Sequence, residues 1–250
     1  MSAPADAALL VVAGMAAGVV GTAGGITSLV SYPALLAAGV PALGADVVNV
    51  VALVACWPAA ALASKPELRG RAAWLGRWSW VPALGGVAGA ALLLSTPAHA
   101  FERVVPFLVA GAALVLLLQP AISSRAGHRT RGNRPLLAGG LFSVATYNGY
   151  FGAGAGVMTL ALALLCVDDH LARANALKNM LVGAATVAAA AVLGLAGHVD
   201  WTAVAPLAPG LFAGSMLGPR VARRLPAGLL RWLVALVGIG LAVRLWIAPS

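Results

Sequence analysis

Two ionisable side chains stand inside long apolar stretches. Lys178 lies in ANALKNMLVGAATVAAAAV and Asp46 in ALGADVVNVVALVA. An isolated ammonium attracts an anion, and an isolated carboxylate serves as its counter-ion or carries a proton for coupling. The plainer alternatives are that the two neutralise each other, or that both reach an interface along their own length. Asn49 and Asn179 close ADVVN and NALKN. An amide there donates to an anion or ties down irregular backbone. Asn175, Tyr147 and Asn148 are weaker candidates of the same kind. Thr22, Thr27 and Ser28 add hydroxyls, although Ser and Thr often bond only their own helix.

Glycines are the second constellation. Gly21, Gly24 and Gly25 crowd GVVGTAGGITSLVSYP, and Gly152, Gly154 and Gly156 crowd GYFGAGAGVMTLALALL. Glycine weakens a helix interior. The clusters from Gly21 to Gly25 and from Gly149 to Gly156 therefore read as helix breaks. Gly14 and Gly18, Gly85 and Gly89, and Gly210, Gly214 and Gly218 are spaced four apart and read as close helix packing.

The elements that must position these groups follow from composition. The 250-residue chain is 61% hydrophobic and 9% charged, with a mean hydropathy of +0.95. A soluble domain carries about 25% charged residues, so lipid is the expected solvent. Apolar runs fall at residues 7–38, 42–63, 78–96, 102–119, 135–166, 173–195, 201–218 and 227–247. The expectation is an all-α polytopic membrane protein of about eight transmembrane helices. The first and fifth runs are too long for one straight span, are the glycine-rich ones, and are expected to be broken. Unwound backbone at that depth must line a cavity or lie buried in protein. The start of each resumed half-helix carries partial positive charge and suits an anion.

The chain also repeats itself. Gly21 aligns with Gly152, Gly25 with Gly156 and Asn49, within one residue, with Asn179; Gly85 and Gly89 align with Gly210 and Gly214. The predicted organisation is a first membrane repeat at 1–119, a basic loop at 120–134 and a second repeat at 135–250, four segments in each. Such repeats place a transport site at their interface. With both ends cytoplasmic, Lys65, Arg69, Arg71, Arg77, Arg125, Arg129, Arg131 and Arg134 fall inside, as the positive-inside rule requires. Arg220, Arg223 and Arg224 then fall outside, so that loop is an exception or one long run does not cross as a simple span. The side of the loop 219–226 is left open.

At these residues the sequence resembles the TauE/SafE sulfite exporter family, also called the four-toluene sulfonate uptake permeases. The resemblance rests on GVVGTAGGITSLVSYPALLAAGVP, on GYFGAGAGVMTLALALL with ANALKN, and on GSMLGPRVARRLPAGLLRWLVAL. It departs from the family at Asp46, where members more often carry a small or hydroxyl residue. It also lacks, at Leu164, a proline to match Pro33. The resemblance implies secondary transport, as an exporter or permease, of a small sulfur-containing anion such as sulfite or an organosulfonate. The substrate-binding set expected from residues and resemblance is Gly21, Gly24, Gly25, Asn49, Gly152, Gly154, Gly156, Lys178 and Asn179, with Asp46 as coupling or counter-ion group. The rival readings are a permease or channel for another small ion, and a membrane accessory or assembly subunit.

Other features carry little chemistry. Cys56 and Cys166 sit in apolar runs without metal or disulfide spacing. His99, His128 and His170 are scattered, and GHVDW, with His198, Asp200 and Trp201, reads as an interfacial turn. Trp74, Trp78, Trp80, Trp232 and Trp246 fit interfacial belts or lipid-facing packing. No phosphate loop and no Ser-His, paired-Asp or HExxH arrangement appears, so neither an ATP-driven motor nor an enzyme is expected. No metal and no cofactor is expected. The expected partners are the anionic substrate and the bilayer of a bacterial-type cytoplasmic membrane, crossed several times. A net charge of +9 is explained by basic loops and does not call for nucleic acid; whether the chain forms a homo-oligomer is left open.

Overall fold

The computed structural model describes residues 4–125, 133–196 and 199–222. Within them the chain is helical. The helices are α1 (Pro4–Gly24), α2 (Ser28–Ala37), α3 (Ala42–Leu53), α4 (Cys56–Ala63), α5 (Lys65–Leu68), α6 (Ala72–Trp78) and α7 (Trp80–Ser95). They continue with α8 (Ala98–Arg125), α9 (Arg134–Tyr150), α10 (Ala155–Cys166), α11 (Leu171–Ala196) and α12 (Trp201–Ala222). Four stretches are long and apolar enough to cross a membrane: Ala5–Gly24, Ala42–Ala63, Ala72–Ser95 and Leu171–Ala196. The first seven apolar runs are all helical. The eighth, 227–247, lies outside the described residues with Trp232 and Trp246, as do Arg129, Arg131, His128, His198, Arg223 and Arg224.

Both over-long runs are broken. The first stops at Gly24 and resumes at Ser28; the fifth stops at Tyr150 and resumes at Ala155. Gly25, Gly152 and Gly154 each have φ near +80°, where a side chain is strained and glycine is at ease. The resumed pieces, α2 and α10, have 10 and 12 residues. At 1.5 Å per residue they reach about 15 and 18 Å, roughly half a hydrocarbon core. Neither run is therefore one simple crossing.

Glycine seams bring the helices together. α1 packs along α12, and Gly14 and Gly18 face backbone of Leu207, Gly210, Leu211 and Ser215. α7 packs along α9, with Gly85 and Gly89 against backbone of the stretch Phe142–Tyr150. Gly149 belongs to this second seam, against Gly86 and Ala90. It is a packing glycine and not part of the break, because α9 continues past it to Tyr150. α11 runs through the middle and touches α3, α4, α7, α9 and α10. A cluster of aromatic rings lies beside the breaks: Phe151 meets Tyr32 at 5.4 Å and Phe101 at 6.3 Å between ring centroids.

Candidate functional site

The two breaks meet. A Cβ on Gly25 would lie 2.6 Å from the carbonyl carbon of Gly156, and a Cβ on Gly156 would lie 2.5 Å from Cα of Gly25. Only two glycines allow backbones this close. Beside this contact is a cavity of ≈ 60 Å³. A water needs about 10–15 Å³ measured this way, so the space suits a few waters or one small ion. Gly21, Gly25, Ser28, Gly152, Gly156 and Lys178 are among its lining residues, and Asn148, Asn179 and Thr186 complete its polar wall.

Lys178 is 1% exposed. Its Nζ donates to the carbonyl of Gly21 at 3.2 Å. On the same helix, Asn175, about one turn before Lys178, and Asn179, the next residue, donate to the carbonyl of Thr22 at 3.0 and 3.4 Å. Both carbonyls belong to the last turn of α1, where intrahelical partners run out; that of Gly21 also accepts from the Gly25 N–H at 2.6 Å. α11 thus supplies an ammonium and two amides to the negative end of α1. An ammonium has three donors, and the cavity wall includes Lys178 itself. The first turns of α2 and α10 also face the cavity, through Thr27, Ser28 and Gly156. The N–H groups of Leu29, Val30, Ala155 and Val157 bond carbonyls of the connecting turns, so what these helix starts offer the cavity is the positive end of their dipoles. No carboxylate is among the lining residues. The arrangement is a small, partly open space of anion size, with a lysine and no carboxylate in its wall.

The other expected site residues fall elsewhere. Asn49 is fully buried between α3 and α2; its amide donates to Ser28 Oγ at 3.0 Å and its carbonyl accepts from Ser31 Oγ at 2.6 Å. Its capacity goes to holding α2 against α3, just past the first break. Gly24 ends α1 with no close neighbour, and Gly154 begins α10 facing Ala112. Neither lines the cavity. Asp46 does not line it either and is not paired with Lys178. It is fully buried, and among the described residues neither carboxylate oxygen has a hydrogen-bond partner. Asn148 does line the cavity and donates to Thr186 Oγ1 at 3.1 Å. Tyr147 donates to the carbonyl of Ala153 at 2.7 Å and braces the second break.

Thr186, Val182, Gly183 and Trp57 are cavity residues that the sequence reading passed over. Three of these belong to α11, which also carries Lys178 and Asn179. Positions 179, 182, 183 and 186 share one helical face with Asn175, and that spacing was the available signal. Trp57 comes from α4 and packs its ring on Gly183; nothing in its apolar surroundings marked it. Cys56 is half-buried at the cavity wall.

The family profile for the sulfite exporter TauE/SafE matches residues 7–245. The chain belongs to the TauE/SafE family. Among curated proteins, this TauE/SafE chain is 28% identical over 165 residues to the Probable membrane transporter protein YfcA of Escherichia coli K12. That match covers 65% of this chain and 60% of YfcA. It is 25% identical over 245 residues to the Probable membrane transporter protein ORF9 of a Sinorhizobium species, covering 97% of this chain and 93% of the relative. A Haemophilus influenzae protein, also named a Probable membrane transporter protein, is 28% identical over 248 residues, covering 95% and 93%. No solved structure matches. The family and all three relatives carry names of membrane transport proteins.

Proposed function

We propose that the chain is a secondary transporter of a small sulfur-containing oxyanion, sulfite being the best fit, in a cytoplasmic membrane of bacterial type. The observation that carries this reading is the cavity at the meeting of Gly25 and Gly156, which combines one buried ammonium, two half-helix N-termini and no carboxylate. Its size favours a compact oxyanion over a bulky sulfonate. A cation would meet the wrong sign from Lys178. Asp46 is the proposed coupling group, since an ionisable side chain at depth is a functional candidate by default.

The reciprocal seams support the two-repeat reading, with repeats at 1–119 and 135–250 joined by the loop 120–134. α1 of the first half packs on α12 of the second, and α9 of the second packs on α7 of the first. The breaks at equivalent positions touch each other. Movement of one repeat against the other would then open the cavity to each side in turn.

The test is flux of labelled sulfite into proteoliposomes, with sulfate and taurine as competitors. Lys178→Met keeps the length of the stem and removes the charge. Loss of a charge-assisted contact corresponds to about 10-fold to 100-fold weaker sulfite handling. The expected result is saturable flux in the wild type and a loss of that order in the folded variant. Flux unchanged in Lys178→Met would remove Lys178 from the path. Absence of sulfite flux in folded wild-type protein would overturn the substrate.

A further inference from the structure

A second cavity, of ≈ 400 Å³, lies apart from the first and shares no residue with it. Arg71, Arg77 and Arg134 line it together with Trp74, Trp78 and Asn133, and Leu137, Cys166 and Val167 form its apolar side. Three guanidiniums around one space is an unusual concentration in a chain with 9% charged residues. Only Arg71 is neutralised, by Asp168 at 2.5 Å, and that carboxylate is shared with Arg173. Arg77 and Arg134 are exposed and make no ion pair among the described residues.

Arg134 is the first residue of α9, whose N-cap is Asn133. A cation in the first turn opposes the helix dipole, and an anion seated there relieves both. The tryptophans place the cavity in depth. Trp74 and Trp78 lie with ring centroids 6.1 Å apart, tilted by 31°, near the start of the span Ala72–Ser95, the position of an interfacial anchor. The cavity is therefore polar and cationic on one side and apolar on the other, at the end of a membrane span that carries the basic loops. Lipids with anionic headgroups concentrate on the side where basic loops lie, and basic pockets between helices hold such headgroups.

We propose that this cavity binds the phosphate-bearing headgroup of an anionic phospholipid. Arg77 and Arg134 hold the phosphate, while Trp74, Trp78 and Leu137 contact the glycerol and upper acyl chain. Arg71 is committed to Asp168 and shapes the rim.

The experiment uses the full chain in micelles of a neutral detergent, titrated with phosphatidylglycerol or phosphatidylcholine and read by native mass spectrometry. Inorganic phosphate is the third ligand. Arg77→Gln with Arg134→Gln removes the two unpaired charges and leaves the Arg71–Asp168 pair intact. Arg69→Gln, on the same loop but outside the cavity, is the control. The expected result is saturable retention of phosphatidylglycerol over phosphatidylcholine, weakened about 30-fold in the double variant, as two interfacial cations imply, and unchanged in Arg69→Gln. Equal retention of both lipids, or equal retention by the wild type and the double variant, would overturn the proposal. Displacement of phosphatidylglycerol by millimolar phosphate would overturn the lipid as occupant in favour of a soluble anion.

Discussion

Lys178 carries two duties that pull in the same direction. Its ammonium caps the carbonyl end of α1 and is also part of the cavity wall. Lys178→Arg keeps the charge but changes the geometry from a point to a plane. With only ≈ 60 Å³ of free space beside it, the variant is expected to retain folding and to lose sulfite flux, which flux and thermal unfolding measured together would show. Asp46 has the opposite character, with full burial and no hydrogen-bond partner among the described residues. Asp46→Asn is expected to leave the unfolding midpoint within a few degrees of wild type and to abolish the dependence of flux on a pH gradient. Flux that still follows the gradient in the variant would exclude Asp46 as the coupling group. Neighbouring glycines give a sharper contrast. Gly25→Ala meets a positive φ and the Gly156 backbone, and the φ alone costs about 1–3 kcal/mol. Gly24→Ala finds its nearest neighbour at 3.7 Å, on Ile26, and is expected to be neutral or slightly stabilising. Thermal unfolding in detergent distinguishes them.

Among the elements, the polar connection before α11 holds distant parts of the chain. Asp168 is 3% exposed and accepts from Arg71, 97 residues away, and from Arg173. Its partial desolvation favours the neutral acid. The Arg173 hydrogen bond, the His170 N–H and the two guanidinium charges outweigh this and hold the carboxyl below its usual range. Because the folded value is depressed, the stabilisation is complete above the ordinary carboxylate pKa of about 3.9 and is lost as pH falls through the lower folded value. Asp168→Asn is expected to cost about 1–3 kcal/mol at neutral pH. The gap between variant and wild-type unfolding midpoints should stay constant from neutrality down to about pH 5 and close in stronger acid. Asp200 plays a smaller part at the start of α12. It accepts from the N–H and the hydroxyl of Thr202 at 3.0 and 2.6 Å, just before and within the first turn of α12, which starts at Trp201.

For the molecule as a whole, the two glycine seams decide how closely its halves approach. A Cβ on Gly214 would collide with backbone of Met15, and one on Gly89 with backbone of Thr146. Gly214→Ala and Gly89→Ala are each expected to destabilise by about 1–3 kcal/mol through overpacking. Gly194→Ala, with nothing within 4 Å, is the matched control and should be neutral. Thermal unfolding of the three variants checks this. Two seam variants behaving like the control would mean that the seams yield freely. The seams also bear on transport, because a movement of one half against the other must slide along these small-residue surfaces.

The solvent, the helical class and the places where the long helices break were legible in the amino-acid order. Each depends on local information: low charge demands lipid, and the glycines at Gly25 and at Gly152 and Gly154 adopt positive φ that ends a helix. Lys178, Asn179 and the glycines on both sides of the meeting point were legible as site candidates for the same reason, as polar or backbone-permissive residues where apolar ones are the rule. The partner of each polar group was not. Asn49 and Asn179 occupy matched places in the sequence, yet one is consumed by Ser28 and Ser31 while the other faces the cavity. Asp46 and Lys178 invited pairing and stand apart. The three arginines of the second cavity are separated by up to 63 residues and read along the chain only as loop charge. Hydrogen bonds and ion pairs reach about 3 Å, so a few degrees of helix rotation decide which groups meet. That rotation is set by how all the helices pack at once, which no single stretch of sequence contains.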